Sequence, residues 1–219
     1  KVEEQSPLPP QFETFGIPQQ QRRNLGLVSG GQHDRFWFLS ESGEQLLQFQ
    51  LDRFLHNWRK VEDETNPYPH FESMINSFEK ELRKFEAYVS KLQTQKLNCN
   101  QAEVSYINHI AQSANDKVSD WFRTVNDIDL NAENMSVTYN RIATDDSGRP
   151  WGRLYSEMAP AIKRDGTRIM SLSLTIRGAP VSPDISASLE IKKKGRELIV
   201  NEFARITTES AHKQWKRIQ

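Results

Sequence analysis

Hydrophobic and polar residues alternate strictly where Leu47, Phe49 and Leu51 are set against Gln48, Gln50 and Asp52. That period of two belongs to a strand with one buried and one wetted face. The pattern then breaks into Phe54, Leu55, Asn57, Trp58 and Arg59, so the strand is expected to run out into a dense aromatic and cationic corner. Upstream, Arg35-Phe36-Trp37-Phe38-Leu39-Ser40 is rich in strand-forming aromatics, and Ser42-Gly43 between the two runs is a turn signal. Together they predict a β-hairpin.

A helical period takes over after Pro67, Tyr68 and Pro69. Phe71, Met74, Ile75, Phe78, Leu82, Phe85, Val89 and Leu92 recur at steps of three and four, which predicts a long helix with one apolar stripe. Pro69 suits its first turn, and Glu79, Lys80, Glu81, Arg83, Lys84 and Glu86 give it a solvated face of mixed sign. Alternation returns in Ala102 to Ile110, with Val104, Tyr106 and Ile110 inward, and again at Met135, Val137 and Tyr139. Ala114 to Phe122 reads as a short helix between them. Gly152 to Ile162 and Arg168 to Arg177 flank Asp165-Gly166, a strong hairpin cue because Gly accepts positive φ. In the second of these strands Met170, Leu172, Leu174 and Ile176 oppose Ser171, Ser173, Thr175 and Arg177, so half of that sheet is expected to be wet. Ile185 to Ile206 reads as a second long helix, and Thr207 or Thr208 as the cap of a last short one containing His212 and Trp215.

This order predicts an α+β fold: an antiparallel sheet of about six strands in two halves, one ββαβ-like and one βββα, packed by two long helices. Residues 35–219 are expected to form a single domain whose halves, 35–112 and 130–219, are candidates for a pseudo-duplication. Residues 1–34, with Pro7, Pro9, Pro10, Pro18 and the run Gln19 to Arg23, read as a Pro/Gln-rich arm or linker.

Composition narrows the function classes. The 29 basic and 29 acidic residues of the 219-residue chain cancel, so bulk attraction to nucleic acid or an anionic membrane is not expected. Aromatics at 10% argue against disorder despite a mean hydropathy of -0.73. The single cysteine, Cys99, leaves neither an intrachain disulfide nor a multi-thiolate zinc site, which favours a cytoplasmic compartment. No apolar run is long enough for a membrane span.

No catalytic motif is legible. The chain has no phosphate-binding glycine loop and no Gly-x-Ser-x-Gly elbow. His33, His56, His70, His109 and His212 lack metal-motif spacing, and neither a His56, His109 and Asp52 assembly nor a nuclease set of Glu103, Asp52 and Lys163 is selected by it. No metal, cofactor or catalytic residue is therefore assigned. Binding is better supported. Gln48, Gln50, Asp52, Arg53, Asn57, Arg59 and Arg177 would lie on a polar sheet face and its corner, where guanidinium forks suit carboxylate or phosphate groups. Lys192, Lys193, Lys194, Arg196, Lys213, Lys216 and Arg217 on the C-terminal helices form the alternative, a nucleic-acid surface, although Glu190, Glu197, Glu202 and Glu209 intersperse with them.

The block from Leu47 to Lys60, with Tyr68-Pro69 and Phe71-Glu72 after it, resembles the signature of a sporadically distributed family of uncharacterised prokaryotic proteins. Glu103 to Ile110, Leu174 to Pro180 and Phe203 to Trp215 resemble the same family, so the likeness spans roughly residues 35 to 217. It implies no activity and no site residues. It does imply a further strand and helix ahead of the proline-rich stretch, completing the first half's sheet, and its patchy distribution associates it with bacterial defence. The expectation is thus a non-catalytic interaction subunit of a bacterial cytoplasmic system with a protein partner or a second copy. The alternatives are a nucleic-acid-binding or nuclease-like component and a structural assembly protein.

Overall fold

The computed structural model describes residues 1–9, 11, 13–15, 35–61, 66–92, 97–111, 117–125, 135–163 and 165–215. The expectations for Gln19 to Arg23, His33, Ala114, Lys216 and Arg217 lie outside them. The chain divides into two compact units, Lys1–Asn98 and Cys99–Gln219. Each carries its own four-stranded antiparallel sheet, so that the described residues form eight strands in two sheets where about six in one were expected.

In the first unit the strands are β1 (Val2–Gln5), β2 (Arg35–Leu39), β3 (Gln45–Gln50) and β4 (Arg53–Trp58), in the order β1-β2-β3-β4. The opening residues are therefore sheet as well as arm, with Val2 opposite Phe38 and Gln5 opposite Arg35. The expected corner is a returning strand. Leu51 and Asp52 form a tight hairpin tip, Leu51 fully exposed, and Phe49 faces Phe54 while Leu47 faces His56. The tip has no glycine or asparagine to mark a two-residue turn, and so the alternation reads as one strand with an irregular end. Two extra strands over the expectation come from β1 and from this split.

One face of the sheet carries Phe38, Phe49 and Phe54, which meet edge-to-face at 5.3 and 4.9 Å. Helix α1 (His70–Leu92) lays Phe78 and Phe85 on this row, with ring centroids 5.5 Å from Phe54 and 5.2 Å from Phe49. Ile75, Phe78, Leu82 and Val89 of its predicted stripe are buried, whereas Leu92 at its end is exposed. The helix begins after Pro69, at His70, whose φ of 62° is left-handed, so the proline precedes the first turn instead of lying in it.

The second unit contains β5 (Ala102–Ala111), the short α2 (Val118–Trp121), a single 3₁₀ turn (Arg123–Val125), β6 (Val137–Thr144), β7 (Pro150–Ile162), β8 (Arg168–Gly178), α3 (Ile185–Ile206) and α4 (Glu209–Gln214). Its sheet order is β5-β8-β7-β6. The Asp165-Gly166 hairpin forms as expected: Gly166 takes φ 85° and the Asp165 carboxylate accepts from Thr167 N–H at 2.9 Å. Leu172, Leu174 and Ile176 of β8 are at most 1% exposed, each contributing roughly 1.5–3 kcal/mol by burial. They meet Leu154, Met158, Trp121, Phe122, Ile199 and Ile206. Helix α3 approaches closely because Gly195 has no Cβ; one placed there would lie 2.4 Å from Ile176 Cγ2. Asp184 caps α3 and Thr208 caps α4, each accepting from the N–H three residues on. No helix among the described residues is long and apolar enough to cross a membrane.

Candidate binding face of the first sheet

Register decides which side chains share the face away from α1. Arg35, Gln50 and Arg53 stand in one row, and Trp37, Gln48 and Leu55 in the next. The Arg35 guanidinium lies 5.3 Å from the centroid of the Trp37 ring, a cation–π contact. Gln48 is only 8% exposed, and its Oε1, Trp37 Nε1 and Arg35 Nε are buried without a hydrogen-bond partner among the described residues. Leaving such groups unpaired costs about 1–3 kcal/mol each.

One part of the face is already engaged. Gln50 treats Leu8 as a strand would: its Oε1 accepts from the Leu8 N–H at 2.7 Å, and its Nε2 donates to the Leu8 carbonyl at 2.8 Å. Arg53 Nη2 donates to the Pro9 carbonyl at 2.8 Å. Asp52 holds both clamps in place, accepting from Gln50 Nε2 at 2.9 Å and from Arg53 Nε and Nη2, each at 3.0 Å. The Arg53 hydrogen bonds, with some opposition from burial, hold the Asp52 carboxyl below its ordinary range, so the clamp is charged at neutral pH. The chemistry this can perform is recognition of an extended main chain. A proline carbonyl is a good acceptor here, since proline offers no N–H and the donors all come from side chains.

Asn57 shares this face by register, opposite Leu46 in the row beyond Leu55, and is exposed near the far end of β4. Arg59 and Arg177 are not gathered here. Arg59 braces the β2–β3 turn, donating through Nε to the Gly43 carbonyl at 2.9 Å. Arg177 belongs to the second unit, where Nε and Nη2 reach Glu103 Oε2 at 2.7 and 2.6 Å and the guanidinium lies 5.3 Å from the Tyr155 ring centroid. His56 lies in the first unit and His109 in the second. His56 reaches Gln45 Oε1 through Nε2 at 3.1 Å, and burial lowers its basicity.

The basic run on α3 is divided. Lys192 turns inward, its buried ammonium donating to the Glu103 carbonyl at 2.8 Å, and burial depresses its pKa to about 8. Lys193 pairs with Glu190 at 3.0 Å, while Lys194 and, on α4, Lys213 are exposed. Arg196 is half-buried. These cations do not form one continuous stripe.

Two features were not anticipated from sequence. Leu8 and Pro9 read from sequence as part of a linker, yet Gln50 and Arg53 hold them against the sheet. Glu202 was counted among surface acids, yet its side chain is fully buried. Tyr139 O–H donates to it at 2.6 Å, Arg205 Nη2 at 2.7 Å and Arg141 Nη2 at 2.9 Å. Burial raises its pKa, but the Arg205 and Tyr139 hydrogen bonds and the Arg141 charge outweigh this and leave it lowered. Its place on the apolar stripe between Ile199 and Ile206 was the available signal.

Among the described residues no three His, Cys, Asp or Glu side chains come together in a way that could hold a metal ion. No family model, no curated protein and no solved structure matches this chain, so the resemblance to a prokaryotic family stands on its motifs alone.

Proposed function

We propose that the protein is a non-catalytic interaction subunit whose first sheet holds an extended, proline-containing segment of a protein partner. The two-way amide clamp of Gln50 on Leu8 carries this reading. It reproduces the main-chain pairing of strand addition while using a side chain, and Arg53 adds a donor for the next carbonyl. In this reading Leu8 and Pro9 occupy the site in cis.

The test uses the full chain with Leu8→Pro, which deletes the N–H that Gln50 accepts and weakens the internal segment. A fluorescent peptide carrying residues 5–11 should then bind saturably by anisotropy, and the additional change Gln50→Leu should abolish that binding. Equal binding with and without Gln50, or none to the Leu8→Pro chain, would refute the reading.

A further inference from the structure

In the second sheet β5 is paired on one side only among the described residues. The phase of its ladder follows from two separate contacts. Ala179 N–H donates to the Trp151 carbonyl, so alternate residues Arg177, Thr175, Ser173 and Ser171 direct their main-chain groups to β7, and Ile176, Leu174 and Leu172 direct theirs to β5. On β5, Val104, Tyr106 and Asn108 therefore pair with β8, and Ser105, Ile107 and His109 point N–H and C=O to the open edge. Lys192 Nζ, which donates to the outward Glu103 carbonyl, agrees with this phase. No main-chain hydrogen bond among the described residues reaches Ser105, Ile107 or His109 from the open side.

Sheet edges are ordinarily blunted by brevity, bulges, proline or lysine. β1 has 4 residues, and β6 shifts register at Ala143/Thr144. β5 runs for 10 residues without a proline, a lysine or a break in register, and places Ile107, 64% exposed, at the middle of its open edge.

We infer that β5 pairs antiparallel with β5 of a second copy across a two-fold axis at Ile107, joining two four-stranded sheets into one of eight strands. The edge is self-complementary in this register. Ile107 meets its own counterpart, Ser105 meets the counterpart of His109, and Glu103 meets that of Ala111, so no like charges face one another. Each facing pair exchanges two main-chain hydrogen bonds, about six over the central three pairs. The two exposed isoleucines leave water together. This inference depends on main-chain geometry in the second unit and is independent of the peptide site proposed on the first.

Sedimentation equilibrium of the full 25.4 kDa chain should show a dimer. Ile107→Lys, at an exposed position, places two ammonium groups on the axis and should give a folded monomer. Ile107→Pro deletes an outward N–H that the β5–β8 ladder does not use and should do the same. In a Cys99→Ser background, Ile107→Cys should form a covalent dimer on mild oxidation, since facing residues lie about 5.5 Å apart at Cα, within disulfide range. Ile162→Cys, 72% exposed and at the end of β7, should not. A wild-type chain that stays monomeric up to its solubility limit, or a dimer that survives Ile107→Lys, would overturn the inference.

Discussion

Glu202 shows how much one side chain can hold. It is fully buried and receives hydrogen bonds from Tyr139 on β6 and Arg205 on its own helix, and an ion pair from Arg141 on β6. Removing the carboxylate unpairs the Tyr139 hydroxyl, whereas the Arg141 and Arg205 side chains, 48% and 57% exposed, can turn to water, so the loss is about 1–3 kcal/mol. Glu202→Ala should lower stability by that order, read by urea denaturation of the second unit. Because the folded carboxyl titrates below its ordinary range, its contribution is present in full above the unfolded value of about 4.3 and fades as pH falls through the lower folded value. Wild-type stability should thus drop more steeply than that of Glu202→Gln as the solution is acidified below pH ~4.3. A parallel decline in both proteins would contradict this. Such a cluster is hard to see in sequence, because a glutamate among lysines and arginines on a helix reads as one more solvated charge until the stripe through Ile199 and Ile206 is drawn through it.

Elements differ in how openly their residues declare them. Helix α1, β8 and α3 were legible because each keeps a strict period over many residues, and the limits of α3 match its expected span. The β3–β4 hairpin was not, since Leu51-Asp52 lacks the glycine or asparagine that marks a two-residue turn, and pairing with the returning strand supplies what local propensity does not. β1 was hidden for a different reason: four residues hold too little pattern to outweigh the prolines after them. Of the candidate site, the polar parity of Gln48 and Gln50 was legible, whereas their ligand in cis was not, because the contact joins residues 42 apart. On α3 the informative residue is a glycine in the helix interior, a position where it ordinarily weakens a helix. Here it admits Ile176, and a methyl group at Gly195 would have to displace that side chain. Gly195→Ala should therefore destabilise by about 1–3 kcal/mol despite alanine's better helix propensity, as a lowered denaturation midpoint would show.

At the scale of the molecule, two units with separate sheets carry unequal cores. The buried members of the second unit's cluster run from Ile110 to Ala211 and include Trp121, Phe122, Val125, Leu154, Leu172, Leu174 and Ile176, each at most 2% exposed. Among the described residues of the first unit the buried apolar ones all come from α1, and the sheet's own phenylalanines keep partial exposure. A fragment of residues 99–219 should accordingly fold alone with a cooperative transition, and the whole chain should unfold in two steps with the first unit leading. A single transition by both circular dichroism and tryptophan fluorescence, with the isolated fragment unfolded, would show that the units do not stand separately.

The lock around Glu202 also constrains the order in which this chain can change over generations. Losing the acid first leaves the Tyr139 hydroxyl without its acceptor, and losing either arginine first leaves a buried anion less well balanced. Exchanging all of them for well-packed apolar side chains can be neutral or even favourable. Where the intermediate steps lie below both ends, such a cluster is easier to keep whole than to dismantle one residue at a time.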